Sequence, residues 1–147
     1  MNFAREAVAA GVLVAMTLWL QCAGMAILIR RARAYIARST NGLNPWRAAV
    51  LMVRFTALAI VLHLLQILLW AGFYRSHGLP SWEACFYVSA SSYSTVGYND
   101  VSLPGLWRSL GPVESIVGVL MCGMSVSALL AIATKLVAAE VKTTRPA

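Results

Sequence analysis

Hydrophobic residues fill three long segments of the chain, and shorter polar stretches separate them. The segments run from about Ala7 to Ile29, from about Ala48 to Phe73 and from about Pro112 to Leu136. Each is long enough to cross a bilayer core, which needs about 20 apolar residues in a helix. The pattern therefore predicts an all-α membrane protein with three transmembrane helices.

A fourth, shorter segment lies between the second and third of these spans. Ser81 can cap a helix start, Glu83 falls in the first turn, and apolar residues follow at helical spacing up to Tyr93. Such a helix is about 20 Å long at 1.5 Å per residue, which is too short to span the bilayer. We expect a re-entrant or interfacial helix, followed by a non-helical segment in which Gly97 interrupts helical structure.

Composition and charge agree with a membrane protein. Hydrophobic residues make up 60% of the chain and charged residues 12%, whereas soluble domains carry about 25% charged residues. The net charge of +7 would suit a nucleic-acid partner, but five of the 12 basic residues lie between Arg30 and Arg47, directly after the first span. A basic loop beside a span marks the cytoplasmic side. We therefore predict no nucleic-acid partner and a multi-pass protein of the plasma (cell inner) membrane.

The same charge distribution predicts orientation. Strong positive charge after the first apolar run favours a retained helix with its N-terminus outside over a signal peptide. The C-terminus is then cytoplasmic. The loop Arg30–Arg47 can serve orientation alone, which we favour, or can also bind anionic lipid headgroups, at about 1 kcal/mol per basic residue near the surface.

Polar side chains within the apolar segments raise the question of a metal, proton or catalytic site. Cys22, Cys85 and Cys122 form no CxxC pair and no Cys/His cluster, so we interpret them as small buried hydrophobic residues. His63 falls near mid-membrane, where it could be a proton or ion site, but we favour a neutral imidazole bonded to a neighbouring helix. Because no catalytic or nucleotide motif occurs, we expect no enzyme activity and no cofactor.

The stretch Ser94–Asp100, with the sequence STVGYND, follows the short helix and carries the most specific signal. Together with the preceding FYVSASSY it resembles the pore helix and selectivity filter of the tetrameric potassium channel family, whose pattern is Thr-Val-Gly-Tyr-Gly-Asp. Five of the six positions match, and Asn99 stands where the family has Gly. The resemblance covers about Ala48 to Leu136 and leaves the first helix as an addition to a two-helix pore subunit.

The resemblance implies a passive potassium channel. Stacked rings of backbone carbonyls would replace the water shell of K+, which is a permeant ion and not a cofactor. Asp100, just outside, would add negative charge at the outer mouth. One chain supplies one such segment, so the resemblance also implies a homotetramer around a central axis. The ion-binding residues would be Thr95, Val96, Gly97, Tyr98 and Asn99, with K+ coordinated by Thr95, Val96, Gly97 and Tyr98.

In the third helix, the resemblance points to a filter support and to a face that lines the cavity. Glu114 would brace the filter from behind or serve as a helix-start carboxylate, and both readings stay open. Gly118 or Gly123 would act as a gating hinge, although we favour plain helix packing as the reason for these small residues. The candidate cavity and gate residues are Gly118, Cys122, Gly123, Val126 and Leu130.

The chain then divides into an extra N-terminal transmembrane helix with the basic loop at residues 1–47, an ion-channel pore domain at 48–137 and a short cytoplasmic tail at 138–147. A helix with regularly spaced arginines does not occur, so we do not expect voltage sensing of the usual kind. Because of Asn99, a weakly selective or non-selective cation channel is the alternative. A third hypothesis is a non-conducting membrane subunit or assembly factor on the same scaffold.

Overall fold

The computed structural model describes residues 2–38, 45–97, 103 and 105–144. Within that part of the chain the structure is all-helical and contains no strand, which confirms the predicted fold class. The elements are α1 (Asn2–Arg38), α2 (Pro45–Ser76), α3 (Trp82–Tyr93), a 3₁₀ turn (Gly105–Trp107) and α4 (Leu110–Thr144).

Three of the described helices, α1, α2 and α4, are long and apolar enough to cross a membrane. Their most apolar windows have a mean hydropathy of 2.2 in α1, 2.2 in α2 and 2.3 in the span that includes α4. The helices extend beyond the apolar segments seen in the sequence. Polar residues after Ile29, for example, continue α1 to Arg38, because a helix ends where its hydrogen bonding ends and not where its hydrophobicity does.

The three long helices pack against one another, and α3 packs against α2 and α4. We call the two ends of this bundle the α3 end and the basic end, the latter holding Arg30 and Arg31 of α1. A buried cluster at the α3 end comprises Leu13, Trp70, Ala71, Tyr74, Leu79, Cys85, Val88 and Leu110. A second cluster at the basic end comprises Leu28, Ala32, Leu51, Phe55, Ile132 and Leu136.

Large hydrophobic side chains cover much of the outside of the bundle. Trp19 is 74% exposed, Val53 is 68% exposed and Ile116 is 65% exposed. A soluble monomer rarely presents contiguous apolar surface of this kind. Lipid tails or neighbouring subunits would contact it, as expected for helices that lie in a bilayer.

The cysteines show how this exposure departs from the sequence prediction. Cys85 is buried, whereas Cys22 and Cys122 are exposed, and all three are free thiols. The prediction of three buried cysteines is therefore wrong for two of them within a single subunit. The physical reason is that an apolar residue on a membrane helix gains no advantage from facing its own subunit rather than lipid.

Candidate functional site

The short helix α3 starts where its sequence supplies a cap. Ser81 has an extended backbone, and its hydroxyl accepts a hydrogen bond from the Ala84 amide at 3.1 Å. Glu83 lies in the first turn, where a negative charge is favourable beside the positive end of the helix dipole. The predicted start and length of this helix are confirmed.

After Tyr93, the last residue of α3, the chain turns back on the helix end. The Thr95 amide donates to the Ser92 carbonyl at 2.9 Å, and the Gly97 amide donates to the Ser91 carbonyl at 3.1 Å. Thr95 has φ 63 and Gly97 has φ 67, both in the left-handed region. Glycine adopts this conformation without a Cβ penalty, but a β-branched residue there is strained by about 1–3 kcal/mol. Because such strain concentrates at functional sites, this turn is the candidate functional segment.

The described residues of the predicted filter lie at the surface of the subunit. Thr95, Val96 and Gly97 are all exposed, and the Val96 side chain is 62% exposed. The remaining predicted residues of this segment, Tyr98, Asn99 and Asp100, lie outside the described residues.

Glu114 joins three helices behind this turn. Its side chain is completely buried, and its carboxyl oxygens accept hydrogen bonds from the Tyr74 hydroxyl at 2.6 Å and the Ser89 hydroxyl at 2.5 Å. Tyr74 belongs to α2 and Ser89 to α3. Because α4 begins at Leu110, Glu114 lies beyond its first turn, so the helix-start reading does not describe these contacts. The geometry shows that Glu114 joins α4 to α2 and α3.

Gly118 touches the backbone of α3 directly. A Cβ at this position would lie 2.1 Å from the Tyr93 carbonyl oxygen, well inside the 3.0 Å limit of real contacts. A Cβ at Gly123 would meet nothing within 4 Å. Gly118 thus permits the close approach of α4 and α3, which supports the packing role that the sequence favoured over a hinge.

The other candidate cavity residues lie on a different side of α4. Cys122, Gly123, Val126 and Leu130 are exposed and face away from the helices of their own subunit. Val126 is 65% exposed and Leu130 is 63% exposed. The structure therefore groups four of the five candidates on one available face and places Gly118 in the interior.

Sequence reasoning missed a buried polar group of side chains around His63. The two imidazole nitrogens lie 2.8 Å from the Tyr93 hydroxyl and 2.9 Å from the Ser125 hydroxyl, so His63 does bond to neighbouring helices. Gln21 and Gln66, both completely buried, continue this group into α1. A glutamine within each of two membrane spans was the signal, because a buried amide there needs partners.

Comparison with known proteins defines the class. A family model described as an ion channel matches residues 50–135, which is more than half of the 147-residue chain. The matched region includes most of α2, the whole of α3 and its turn, and most of α4, whereas α1 lies outside it. The chain therefore belongs to this ion channel family, and the channel family predicted from STVGYND is confirmed. No curated protein and no solved structure matches the chain at a significant level.

Proposed function

We propose that this chain is a subunit of a potassium-selective channel that conducts K+ passively through a central pore between four copies. The strained turn after α3 carries this proposal, since its residues are held against a buried helix end and yet are exposed on the subunit surface. Carbonyl groups from four such turns, at Thr95, Val96, Gly97 and Tyr98, would form rings that replace the water around K+. In this scheme K+ is a permeant ion and not a resident cofactor.

We propose a tetramer because a single subunit leaves both the turn after α3 and one face of α4 exposed. A single turn cannot surround an ion, and closed symmetry is the usual way to bring several copies around one axis. The exposed face of Cys122, Gly123, Val126 and Leu130 belongs to α4, the long helix that follows the filter segment in the chain, and would line the cavity below it. The exposed Val96 side chain would pack against a neighbouring copy.

The buried contacts behind the turn support the same scheme. Glu114 connects α4 to α2 and α3 through two buried hydroxyl groups, and Gly118 brings α4 against the Tyr93 carbonyl. Both contacts fix where α3 ends. We propose that Glu114 supports the filter through this helix and does not contact the ion.

The charges support the proposed membrane orientation, and the family match is compatible with the proposed domain division. The arginines at the basic end would face the cytoplasm of an inner membrane, with the N-terminus and Asp100 outside. The pore domain at 48–137 contains the matched region 50–135, and residues 1–47 supply the additional helix and basic loop. The tail at 138–147 would be cytoplasmic.

A groove at the basic end supports the alternative that this region binds an anionic lipid in addition to setting the orientation. Arg31 lines a mainly apolar groove of about 180 Å³ between α1 and α2, together with Gly24, Leu58 and Leu62. An acyl chain would fit the apolar part while its headgroup meets the arginine, and such contacts contribute about 1 kcal/mol per basic residue. Ion flux measured in liposomes with and without an anionic lipid tests this, and equal flux in the two would contradict it.

Flux measurements test the channel function itself. Purified protein in liposomes should release K+ down its gradient, and the reversal potential in a planar bilayer should follow K+ more closely than Na+. Equal permeability to both ions would instead favour the non-selective cation channel, because Asn99 alters the upper filter. No flux from a verified tetramer would favour the non-conducting subunit or assembly factor. A monomer or dimer by mass in detergent would count against any central filter.

The substitution Asn99→Gly separates the two conducting hypotheses. Asparagine tolerates left-handed backbone better than other non-glycine residues, so the inner rings should form in either protein. If those rings select K+, Asn99→Gly keeps the K+ preference and changes only conductance or inactivation. If the wild type admits Na+ freely and Asn99→Gly creates the preference, the non-selective hypothesis is correct.

A further inference from the structure

Five polar side chains from all four α-helices form a closed ring of hydrogen bonds inside the bundle. We call it the five-residue ring. Gln66 Nε2 lies 2.6 Å from Gln21 Oε1, and Gln21 Nε2 lies 2.9 Å from Ser125 Oγ. Ser125 Oγ lies 2.9 Å from His63 Nε2. His63 Nδ1 lies 2.8 Å from the Tyr93 hydroxyl oxygen. The Tyr93 hydroxyl donates to Gln66 Oε1, and this bond closes the ring.

One backbone carbonyl sets the direction of four of the five bonds in the ring. Gln21 Nε2 lies 3.0 Å from the Met121 carbonyl oxygen, which can only accept, so this atom is the amide nitrogen. Gln21 Oε1 therefore accepts from Gln66 Nε2, and Gln66 Oε1 accepts from Tyr93. Tyr93 has a single proton and gives it to Gln66, so it must accept from His63 Nδ1–H.

His63 completes this order only as a neutral ring with its proton on Nδ1. Its Nε2 then accepts the Ser125 hydroxyl proton, and Ser125 Oγ accepts the second hydrogen of Gln21 Nε2. Each member of the ring donates to the next one in the same sense. Among the described residues, no buried side-chain nitrogen or oxygen lacks a partner. A fully satisfied polar network of this kind fixes the relative positions of the groups it joins.

The ring acts on the end of α3. Tyr93 is the last residue of that helix and lies two positions before the strained Thr95. The ring holds the Tyr93 side chain, while Gly118 of α4 lies against the Tyr93 carbonyl on the backbone side. The starting point of the turn is therefore fixed by two independent contacts.

Helix α1 is indispensable to the ring although the family match begins after it. Its Gln21 accepts from α2 and donates twice to α4, at the Met121 carbonyl and at Ser125. Replacing the amide would leave Gln66 Nε2 of α2 without its ring partner, and would leave Ser125 of α4 with only its bond to His63. The additional helix therefore contacts the pore helices through specific polar bonds as well as through apolar packing.

We propose that the five-residue ring positions the end of α3 for ion conduction, with Gln21 of the additional helix as the member that closes it. Gln21, His63 and Tyr93 are then positioning residues, since they act on the conduction segment through α3 and do not meet the ion. This inference rests on the proposed channel function.

The first test measures the position of α3 without using ion flux. Gln21→Met keeps the length of the side chain and removes its amide. Backbone hydrogen exchange of the Thr95 and Gly97 amides should be faster by about threefold or more in Gln21→Met than in the wild type. This factor corresponds to the lower end of the coupling measured between residues in one hydrogen-bond network. Thr17→Val is the matched control. Thr17 is equally buried on α1 and accepts a hydrogen bond from Trp70 of α2 at 3.0 Å, outside the ring, so the exchange of those two amides should stay unchanged.

The second test measures ion selectivity in a double-mutant cycle. Gln21 and Tyr93 are joined only through other members of the ring, so Gln21→Met and Tyr93→Phe interrupt one closed structure at two places. Each single variant should lower the K+ over Na+ permeability ratio by about threefold or more, and the double variant should show no greater loss than either. Thr17→Val should leave the ratio unchanged. If Tyr93→Phe does not assemble, Ser125→Ala takes its place, since it removes a ring hydroxyl on α4 and leaves the last residue of α3 intact.

The outcomes separate this inference from the function on which it rests. A wild type that conducts, with Gln21→Met indistinguishable from Thr17→Val in amide exchange and in selectivity, overturns the positioning role and leaves the channel function intact. Additive effects in the double variant also overturn it. A wild type that does not conduct, with faster exchange at Thr95 and Gly97 in Gln21→Met, overturns the channel function while the ring still positions α3.

Discussion

Both ends of the bundle contain an apolar cluster, but the α3 end also has buried polar contacts between its helices. At the α3 end, buried carboxyl, hydroxyl, amide and imidazole groups connect the helices at defined distances, as at Glu114 and His63. At the basic end, α1, α2 and α4 meet through a cluster of aliphatic and aromatic side chains that includes Leu28, Phe55 and Ile132.

This difference matters because the two kinds of contact respond differently to movement. Hydrogen bonds depend on distance and angle, so a small displacement of one helix breaks them. Apolar contacts between membrane helices are less directional, and lipid can replace them at modest cost. We infer that the α3 end keeps the conduction segment in place, whereas α4 has more freedom to move at the basic end. A filter needs the first property and a gate needs the second.

The largest expected effect comes from Gly118→Val at the α3 end. A valine side chain here would collide with the Tyr93 carbonyl oxygen, so α3 must move away. The loss of stability should exceed that of ordinary overpacking, which is about 1–3 kcal/mol. We expect loss of the assembled protein, measured as oligomer mass in detergent. Gly123→Ala, a small addition to the same helix where nothing lies within 4 Å, should assemble normally. Normal assembly and flux of Gly118→Val would show that the close contact is not required.

A cavity at the basic end should have the next largest effect, and of a different kind. Phe55→Ala removes a buried aromatic ring from the apolar cluster. The loss of stability should be smaller than for the same change in the core of a water-soluble protein, where it is about 3–5 kcal/mol. Lipid can replace part of the lost contact. We expect a lower thermal midpoint and altered open probability, with an unchanged K+ over Na+ permeability ratio.

Val53→Ala provides the comparison for that measurement, since Val53 lies on the same helix and is 68% exposed. Its thermal midpoint should remain close to that of the wild type. A change in ion selectivity with Phe55→Ala would mean that the two ends of the bundle are not independent.

Replacing the buried carboxyl should destabilise the protein less and affect the filter more. Glu114→Gln keeps the shape of the side chain but replaces one acceptor oxygen with an NH2 donor. Tyr74 can still donate to the remaining oxygen, and Ser89 can accept from the new donor while its proton goes to the Ile67 carbonyl. The cost is therefore the loss of two bonds to a charged acceptor, about 1–2 kcal/mol. We expect a moderately lower thermal midpoint together with reduced K+ selectivity in planar bilayers. Glu83→Gln, an exposed change of the same kind on α3, should leave selectivity intact. Equal selectivity of the two variants would remove Glu114 from the proposed filter support.

The smallest expected effect belongs to the exposed start of α3. Ser81→Ala removes the hydroxyl that accepts the Ala84 amide, which typically costs about 1 kcal/mol. We expect a small decrease in the thermal midpoint and no change in selectivity, because the far end of α3 stays fixed by Tyr93. Ser81→Asp should restore the midpoint, since aspartate caps equally well. If Ser81→Ala altered selectivity, the whole of α3, and not its end, would determine the position of the filter.

The sequence by itself determined the helical architecture. Three apolar runs of membrane-spanning length, and a Ser81 cap before a short apolar run, depend only on local hydrophobicity and local hydrogen bonding. The motif STVGYND identified the family, because its resemblance depends on the order of residues and not on their surroundings. Gly97 in a left-handed conformation also agrees with local preference alone.

The tertiary structure alone decided which side chains meet. Gln21, His63 and Tyr93 are far apart in the chain, and each has an ordinary alternative role that no local pattern rejects. Glu114 was equally consistent with a helix start until Tyr74 and Ser89 were seen on its oxygens, and Gly118 differed from Gly123 only through the Tyr93 carbonyl beside it. The physical reason is that buried polar groups and close backbone contacts are satisfied by partners from other helices. Helical periodicity gives the face on which a residue lies, and only packing gives the partner that it meets.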